Sequence, residues 1–315
     1  MTLETPDASG GPETRKARLK RIALAAAPWA GGLFAIALFI VTLLQLSQVS
    51  SEALATVQGL SPAVWLVFVL LYLAQPVADQ VIFQRLWRLP VRSFGVMMRK
   101  VVINEVLFGY SGELYFYVWA KSRADLSEAP FGAVKDVNIL SALGGNVQTL
   151  ILLLVSAISL TRIDLAHQLG PALWPGLAMV ALTFGVLLFR KRVFSLTRPE
   201  LVFVAWIHTA RMIATTGLTL LLWSLALPEV GLGVWLVLLA SRLLLARLPF
   251  VANKDLVFAN LVLVLMGAGS PAALLLATLA IATLMAHLAV TLIVGAPDLA
   301  RAVSRIPSRR RETLT

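Results

Sequence analysis

The residues that could do chemistry in this chain are ionisable side chains that interrupt long apolar stretches. They are Asp79, Glu105, Glu113, His208, Arg211, Arg242 and His287, with Arg247, Lys254 and Asp255 beside a polar break. Ionisable residues within membrane spans are costly, and they mark pathways or binding sites in which each charge has a partner. Acids and bases both occur here. The pattern therefore predicts a single wet pocket in which Arg211 and Arg242 bind an anionic group. Glu105 and Glu113 would face these arginines and hold them between cycles.

The densest group of such residues lies between Val101 and Ala120. This segment holds Asn104, Glu105, Gly109, Gly112, Glu113 and Tyr115 within an otherwise hydrophobic run. Glycine permits a backbone break, and the helix ends that a break creates expose N–H groups and a positive dipole end. Transporters build their binding sites from broken helices of this kind. Three roles stay open for Glu113: capping those N–H groups, receiving a cation, or pairing with an intramembrane arginine.

Two further sets of polar residues each share one face of a predicted helix. The first set is His208, Arg211, Thr215 and Thr219, and the second is Asn138, Ser141, Gly145 and Gln148. Their spacing of three or four residues places the members of each set above one another. Such faces either line a cavity or join helices, through an arginine–acid pair in the first set and through amides and small residues in the second. Both interpretations stay open at this point.

The composition defines the elements that must position these groups. Hydrophobic residues make up 59% of the chain and charged residues only 14%, which excludes a soluble single domain. Eight apolar runs are long enough, or nearly so, to cross a bilayer. They are Ile22–Leu46, Pro62–Phe83, Val137–Leu160, Ala172–Phe189, Leu201–Leu227, Leu232–Leu248, Leu256–Ala268 and Ala272–Val294. The predicted fold is all-α, a polytopic membrane helix bundle of about eight transmembrane helices.

Lysine and arginine placement predicts the orientation of the bundle. If Val101–Ala120 is re-entrant, every Lys and Arg except Arg162, Arg211 and Arg242 falls in a cytoplasmic segment. The chain then divides into a disordered basic cytoplasmic arm (1–21), a transmembrane domain (22–296) and a basic cytoplasmic tail (297–315). Both termini are expected in the cytoplasm and the protein in the plasma (inner) membrane. Leu256–Ala268 is expected to be a short or tilted span, because a second re-entrant hairpin would move the arginine-rich tail outside.

Two motifs resemble the transmembrane region of lysylphosphatidylglycerol synthases, the flippase-domain family. Gly112-Glu113 is similar to the Gly-Glu element of that family. Ser241-Arg242 through Arg247-Leu248-Pro249, followed by Asp255, is similar to its later arginine-containing span and proline-led break. The chain departs from the family at Tyr115-Phe116-Tyr117, where an arginine is usual, and at Ala252-Asn253-Lys254-Asp255, where glycines are usual. The resemblance implies movement of a lipid or lipid-linked group between leaflets, without the separate synthase domain.

The sequence thus predicts a non-enzymatic flippase or transporter of an anionic phospholipid or lipid-linked substrate. We expect anionic membrane lipids as partners and no nucleic acid, cofactor or metal; homo-oligomers are left open. The alternatives are a non-transporting scaffold or regulator of lipid or cell-envelope metabolism and, more remotely, an intramembrane serine protease or glycosyltransferase. The predicted substrate-binding residues are Asn104, Glu105, Gly112, Glu113, Tyr115, Asn138, His208, Arg211, Arg242, Arg247, Asn253 and Asp255.

Overall fold

The computed structural model describes residues 59–107, 110–122, 130–160, 194–247, 253–267 and 270–304. Within these residues the chain is α-helical. The helices are α1 (Pro62–Trp87), α2 (Phe94–Val106), α3 (Ser111–Lys121), α4 (Pro130–Leu160), α5 (Arg198–Ala226), α6 (Leu232–Leu245), α7 (Lys254–Met266) and α8 (Pro271–Ser304). A short 3₁₀ helix, Val91–Ser93, precedes α2.

Four of the described helices are long and apolar enough to cross a membrane. They are α1, α5, residues Phe131–Ser156 of α4 and residues Pro271–Ala296 of α8. Four of the predicted spans are therefore confirmed as membrane-length helices. The predicted spans Ile22–Leu46 and Ala172–Phe189 and the predicted arm at 1–21 lie outside the described residues. Helix α8 continues to Ser304, eight residues into the predicted tail.

The runs Leu232–Leu248 and Leu256–Ala268 form the shorter helices α6 and α7, of 14 and 13 residues. At 1.5 Å per residue each is about 20 Å long, short of the roughly 30 Å of a hydrocarbon core. Their termini have local causes. Asn253, which precedes α7, has a left-handed backbone with φ 50°, and Gly267, which follows it, has φ 84°. A left-handed residue ends helical geometry, so these positions fix both ends of α7.

The predicted break within Val101–Ala120 is present. Helix α2 ends at Val106 and α3 begins at Ser111, after Tyr110 in a left-handed conformation with φ 74°. The two helices run antiparallel, since Asn104 meets Gly112 and Arg99 meets Tyr115. The backbone N–H of Asn253 donates to the carbonyl of Glu105 at 2.7 Å. The break before α7 is thereby joined to the end of α2.

The helices pack around two main hydrophobic clusters. The larger one, around Trp235, Phe258 and Ile281, joins α6, α7 and α8 to the start of α1. The second, around Phe83, Met97 and Phe116, joins the end of α1 to α2 and α3. Helix α1 also packs along α5, and α4 packs against both α5 and α6. This arrangement leaves a polar space between the helices, which contains most of the ionisable residues identified from the sequence.

Candidate functional site

A cavity of about 350 Å³ lies between the helices and is lined by every described helix except α3. Cavities that bind small molecules begin at roughly 300 Å³, so a lipid headgroup would fit. Of the predicted site residues, the cavity collects Glu105, Arg211, Arg242, Arg247 and Asp255. The lining thus contains three arginines and two carboxylates.

Among the described residues, neither Arg211 nor Arg247 forms an ion pair with an acid. No carboxylate of the described residues lies within 4.0 Å of either guanidinium. The Nη2 of Arg211 donates to the hydroxyl of Ser141 at 3.2 Å. Within the part of the chain that the structure describes, the side chain of Arg247 makes no hydrogen bond, and the Nε atoms of both arginines are buried without a partner. Each guanidinium therefore has N–H groups without an acceptor among the described residues, and both side chains line the cavity.

The two arginines face successive turns of α4. Arg211 contacts Ser141, and the guanidinium of Arg247 lies against Gly145, four residues further on. A Cβ atom on Gly145 would lie only 2.5 Å from one guanidinium nitrogen. Residues one turn apart are about 5–6 Å apart at Cβ, and the two guanidiniums are close enough to repel each other. Gly145 therefore makes room for a second positive charge beside the first.

Arg242 is held differently from the other two arginines. Its Nε and Nη2 atoms lie 2.9 and 2.6 Å from the Oδ1 of Asp255, which joins α6 to the first turn of α7. Both side chains are about one-third exposed, at 31% and 29%. Among the described residues, Arg242 is the one arginine of the cavity that an acid holds, and that acid is Asp255 rather than the predicted Glu105 or Glu113.

Glu105 lines the cavity on the side of α2, a helix that carries none of the three arginines. Its carboxylate accepts no hydrogen bond from the described residues, although its backbone is fixed by Asn253. The same side carries Tyr72 of α1 and His287 of α8, whose hydroxyl and Nδ1 are 2.9 Å apart. The Nε2 of His287 is buried and unpartnered among the described residues.

Glu113 does not join the cavity, contrary to the expectation that it shares a pocket with Glu105, Arg211 and Arg242. It lies on another side of α2, where its Oε1 accepts a hydrogen bond from Asn104 at 3.0 Å and lies 3.5 Å from the Nζ of Lys100. It does not cap the start of α3 either. The N–H of Gly112 donates to the side-chain oxygen of Asn104 at 2.7 Å instead.

Lys100 and Asp79 form the centre of this second cluster, which we call the paired cluster: Asp79, Lys100, Asn104, Gly112 and Glu113. Lys100 donates to Asp79 at 2.9 Å, and the two side chains are only 4% and 1% exposed. Lys100 is therefore a buried residue of α2 and not part of an exposed loop. Asp79, which from its sequence position could also have been an exposed residue at the interface near Arg85, is buried against Lys100. Gln75 adds bonds of 3.1 Å to both Asp79 oxygens.

The remaining predicted residues lie outside the cavity. The hydroxyl of Tyr115 accepts a hydrogen bond from Arg99 at 3.2 Å. His208 is buried and donates from Nε2 to the carbonyl of Val137 at 3.2 Å. Asn138 is half-buried near that end of α4, and Asn253 acts through its backbone. The two helix faces are otherwise placed as predicted, with Thr215, Thr219, Ser141 and Gln148 at the cavity.

Both interpretations of the α4 face hold at once. Gln148 lines the cavity, and its amide also donates to the carbonyl of Met212 and the hydroxyl of Thr216, at 3.2 and 2.7 Å. Tyr72 and Lys100 are the residues that sequence reasoning missed. A signal existed for each: Tyr72 is seven residues before Asp79, and Lys100 is four before Asn104, so each shares a helix face with a polar residue identified from the sequence.

Within the described residues, no three His, Cys, Asp or Glu side chains are grouped as a metal site would require. No family model matches this chain, and neither a curated protein nor a solved structure is significantly similar to it. The function must therefore be argued from the cavity itself.

Proposed function

We propose that this protein is an integral membrane protein that binds an anionic phospholipid or lipid-linked substrate and moves it between leaflets. In this proposal it lies in the plasma membrane with both termini in the cytoplasm. The observation that carries the proposal is the pair Arg211 and Arg247, adjacent in the cavity and without a carboxylate partner among the described residues.

The physical argument is the cost of leaving two guanidiniums together. Burying a charge is expensive unless it is paired, and two like charges side by side add repulsion. A phosphate group would remove both costs, because guanidinium presents paired donors that match phosphate oxygens. Ser141 and Gln148 add neutral polar groups beside them. The cavity thus offers an anion site in which a bound anion would neutralise the guanidiniums of Arg211 and Arg247.

Arg242 has a secondary part in this proposal. Because Asp255 already neutralises it, Arg242 would contact the substrate only by exchanging its acid for the phosphate. That exchange would loosen the link between α6 and α7 while the substrate is bound. Substrate binding would then be coupled, through the Arg242–Asp255 ion pair, to a change in the polar break between α6 and α7.

A non-transporting scaffold or regulator is the second candidate, and the paired cluster favours it. Its ion-pair contacts join three helices: Lys100 of α2 contacts Asp79 of α1 and Glu113 of α3. A scaffold requires no more than such contacts between helices. The scaffold interpretation gives no reason for Arg211 and Arg247, so transport is the preferred proposal.

A leaflet-resolved lipid assay in vesicles tests the proposal. Wild type would be compared with R211A and R247A, and with R85A as a control, because Arg85 is exposed near the end of α1 and away from the cavity. Losing one charge-assisted hydrogen bond of about 1.5–3 kcal/mol predicts movement roughly tenfold or more slower in both cavity variants. R85A should match wild type. Equal rates in all four proteins would contradict the proposal.

A further inference from the structure

The part of the cavity that α1, α2 and α8 line carries ionisable groups that the anion site does not use. Glu105, Tyr72 and His287 face inward from α2, α1 and α8. An ionised Glu105 would repel an anion, so an anion site alone does not account for this residue. We propose that Glu105, together with His287 of the same cavity, is a proton-binding site, and that the anion enters the cavity together with a proton.

Glu105 is the first support for a proton site. Its carboxylate lines the cavity and accepts no hydrogen bond from the described residues. The cations nearest to it have other contacts: Arg242 pairs with Asp255, and Lys254 donates to the carbonyl of Ala246 at 2.8 Å. A carboxylate in such a place is costly while ionised, and taking up a proton removes that cost.

His287 is the second, independent support. The residue is only 2% exposed, and its Nε2 has no partner among the described residues, while Nδ1 contacts Tyr72. In a neutral imidazole one nitrogen donates and the other accepts, so the ring can take a proton on one side and release it on the other. This property suits a proton-binding site, whereas a site for Na⁺ would not require the imidazole of His287.

The charged and titratable groups around the proposed site come from every helix packed against it. They are Tyr72 from α1, Glu113 from α3, Arg211 from α5, Arg242 from α6, Lys254 and Asp255 from α7 and His287 from α8. Asp255 and Glu113 are nearby acids that each lie within 4.0 Å of a cation, Arg242 and Lys100 respectively. Glu105 is the acid of this group without an ion-pair partner within the described residues.

Coupling follows from the shared cavity. Ionised Glu105 opposes an anion at Arg211 and Arg247, and a proton on Glu105 removes that opposition. Anion and proton must therefore strengthen each other's binding, and by linkage the effect is equal in both directions. This inference rests on the proposed anion site, which it deepens by naming the ion that accompanies the substrate.

Binding calorimetry with short-chain phosphatidylglycerol tests the inference, because its phosphodiester keeps one charge over the pH range used. Wild-type protein should bind more tightly at acidic than at alkaline pH, by about tenfold, a typical size for coupling between two sites. E105Q should bind tightly and equally at every pH. E113Q, the same change in the paired cluster, should keep the wild-type pH dependence.

A measurement on wild type alone removes any dependence on how the variants fold. Binding heats in two buffers of different ionisation enthalpy give the number of protons taken up per anion. Proton uptake supports the inference; binding without proton uptake, at one affinity across pH, overturns it and leaves the anion site standing. If wild type binds no anion at any pH, the proposed function fails and the inference fails with it.

Discussion

Two groups of charges adjoin helix α2, and they are built in opposite ways. In the paired cluster, Lys100 is enclosed by Asp79 and Glu113, and Asn104 satisfies Gly112. In the cavity, Arg211 and Arg247 lie together without an acid among the described residues, and Glu105 faces them without a hydrogen bond. The first group has the contacts of a structural element. The second has the contacts of a site that a ligand completes.

Charge at membrane depth is therefore informative only together with its partners. Sequence position alone groups Glu113 with Arg211, because both are ionisable and deep. The contacts separate them: Glu113 lies 3.5 Å from the Nζ of Lys100, whereas no carboxylate of the described residues lies within 4.0 Å of the Arg211 guanidinium. We therefore expect substitutions in the paired cluster to reduce stability, and substitutions in the cavity to reduce ligand binding.

Replacing Lys100 should have the largest effect. K100M leaves Asp79 and Glu113 buried without their cation, and breaking a buried pair by removing one partner costs about 3–5 kcal/mol. Thermal unfolding in detergent would measure this loss. The double variant D79N/K100M should recover part of it, because it also removes the buried charge of Asp79. A K100M protein as stable as wild type would show that the cluster is not structural.

Gly112 supplies the second largest effect. A Cβ atom there would collide with the backbone carbonyl of Lys100 and the side chain of Asn104. Overpacking of this kind costs about 1–3 kcal/mol, so G112A should unfold at a lower temperature. The matched control is G217A, because Gly217 is exposed within α5 and a Cβ atom added there would have no neighbour within 4 Å. That change should be neutral or stabilising, by up to about 1 kcal/mol.

Gly145 tests the cavity in the same way. The Cβ atom of G145A would displace the guanidinium of Arg247, which ends a flexible side chain and can move away at little cost in stability. We expect anion affinity to fall by about tenfold, as when one charge-assisted hydrogen bond is lost. G144A is the control, since its Cβ would meet only the flexible end of Met212. Equal affinities for G144A and G145A would contradict the role of Arg247.

Asp255 gives the smallest and most discriminating effect. D255N frees Arg242 and removes one negative charge from the cavity lining. Because the pair is about one-third exposed, the stability loss should stay below about 1 kcal/mol. Anion affinity should rise by a few-fold, since a third arginine becomes available. Calorimetry would measure the rise, and a fall in affinity would show that Asp255 itself positions the ligand.

Much of the fold was predictable from local sequence. The spans that became α1, α4, α5 and α8 are long apolar runs, and the break between α2 and α3 coincides with glycines and polar residues. That Arg211 and Arg242 line a polar cavity was predictable because an arginine in an apolar helix needs a special environment. These inferences need only the residue types and their spacing.

The partners were not predictable, because they come from distant parts of the chain. Charge counting treats a lysine near the end of a span as part of an exposed loop. Lys100 is instead buried in an ion pair with Asp79, which belongs to another helix. The space beside Gly145 is occupied by Arg247, whose approach depends on how α6 packs against α4. Spacing along one helix contains no information on either contact.

The most direct test of the central claim is native mass spectrometry of gently purified protein with phosphatidylglycerol. The claim is that Arg211 and Arg247 form an anion site. Wild type should retain the lipid, R211Q/R247Q should lose it, and E113Q, altered in the paired cluster, should retain it as wild type does. Equal retention by wild type and R211Q/R247Q would contradict the claim.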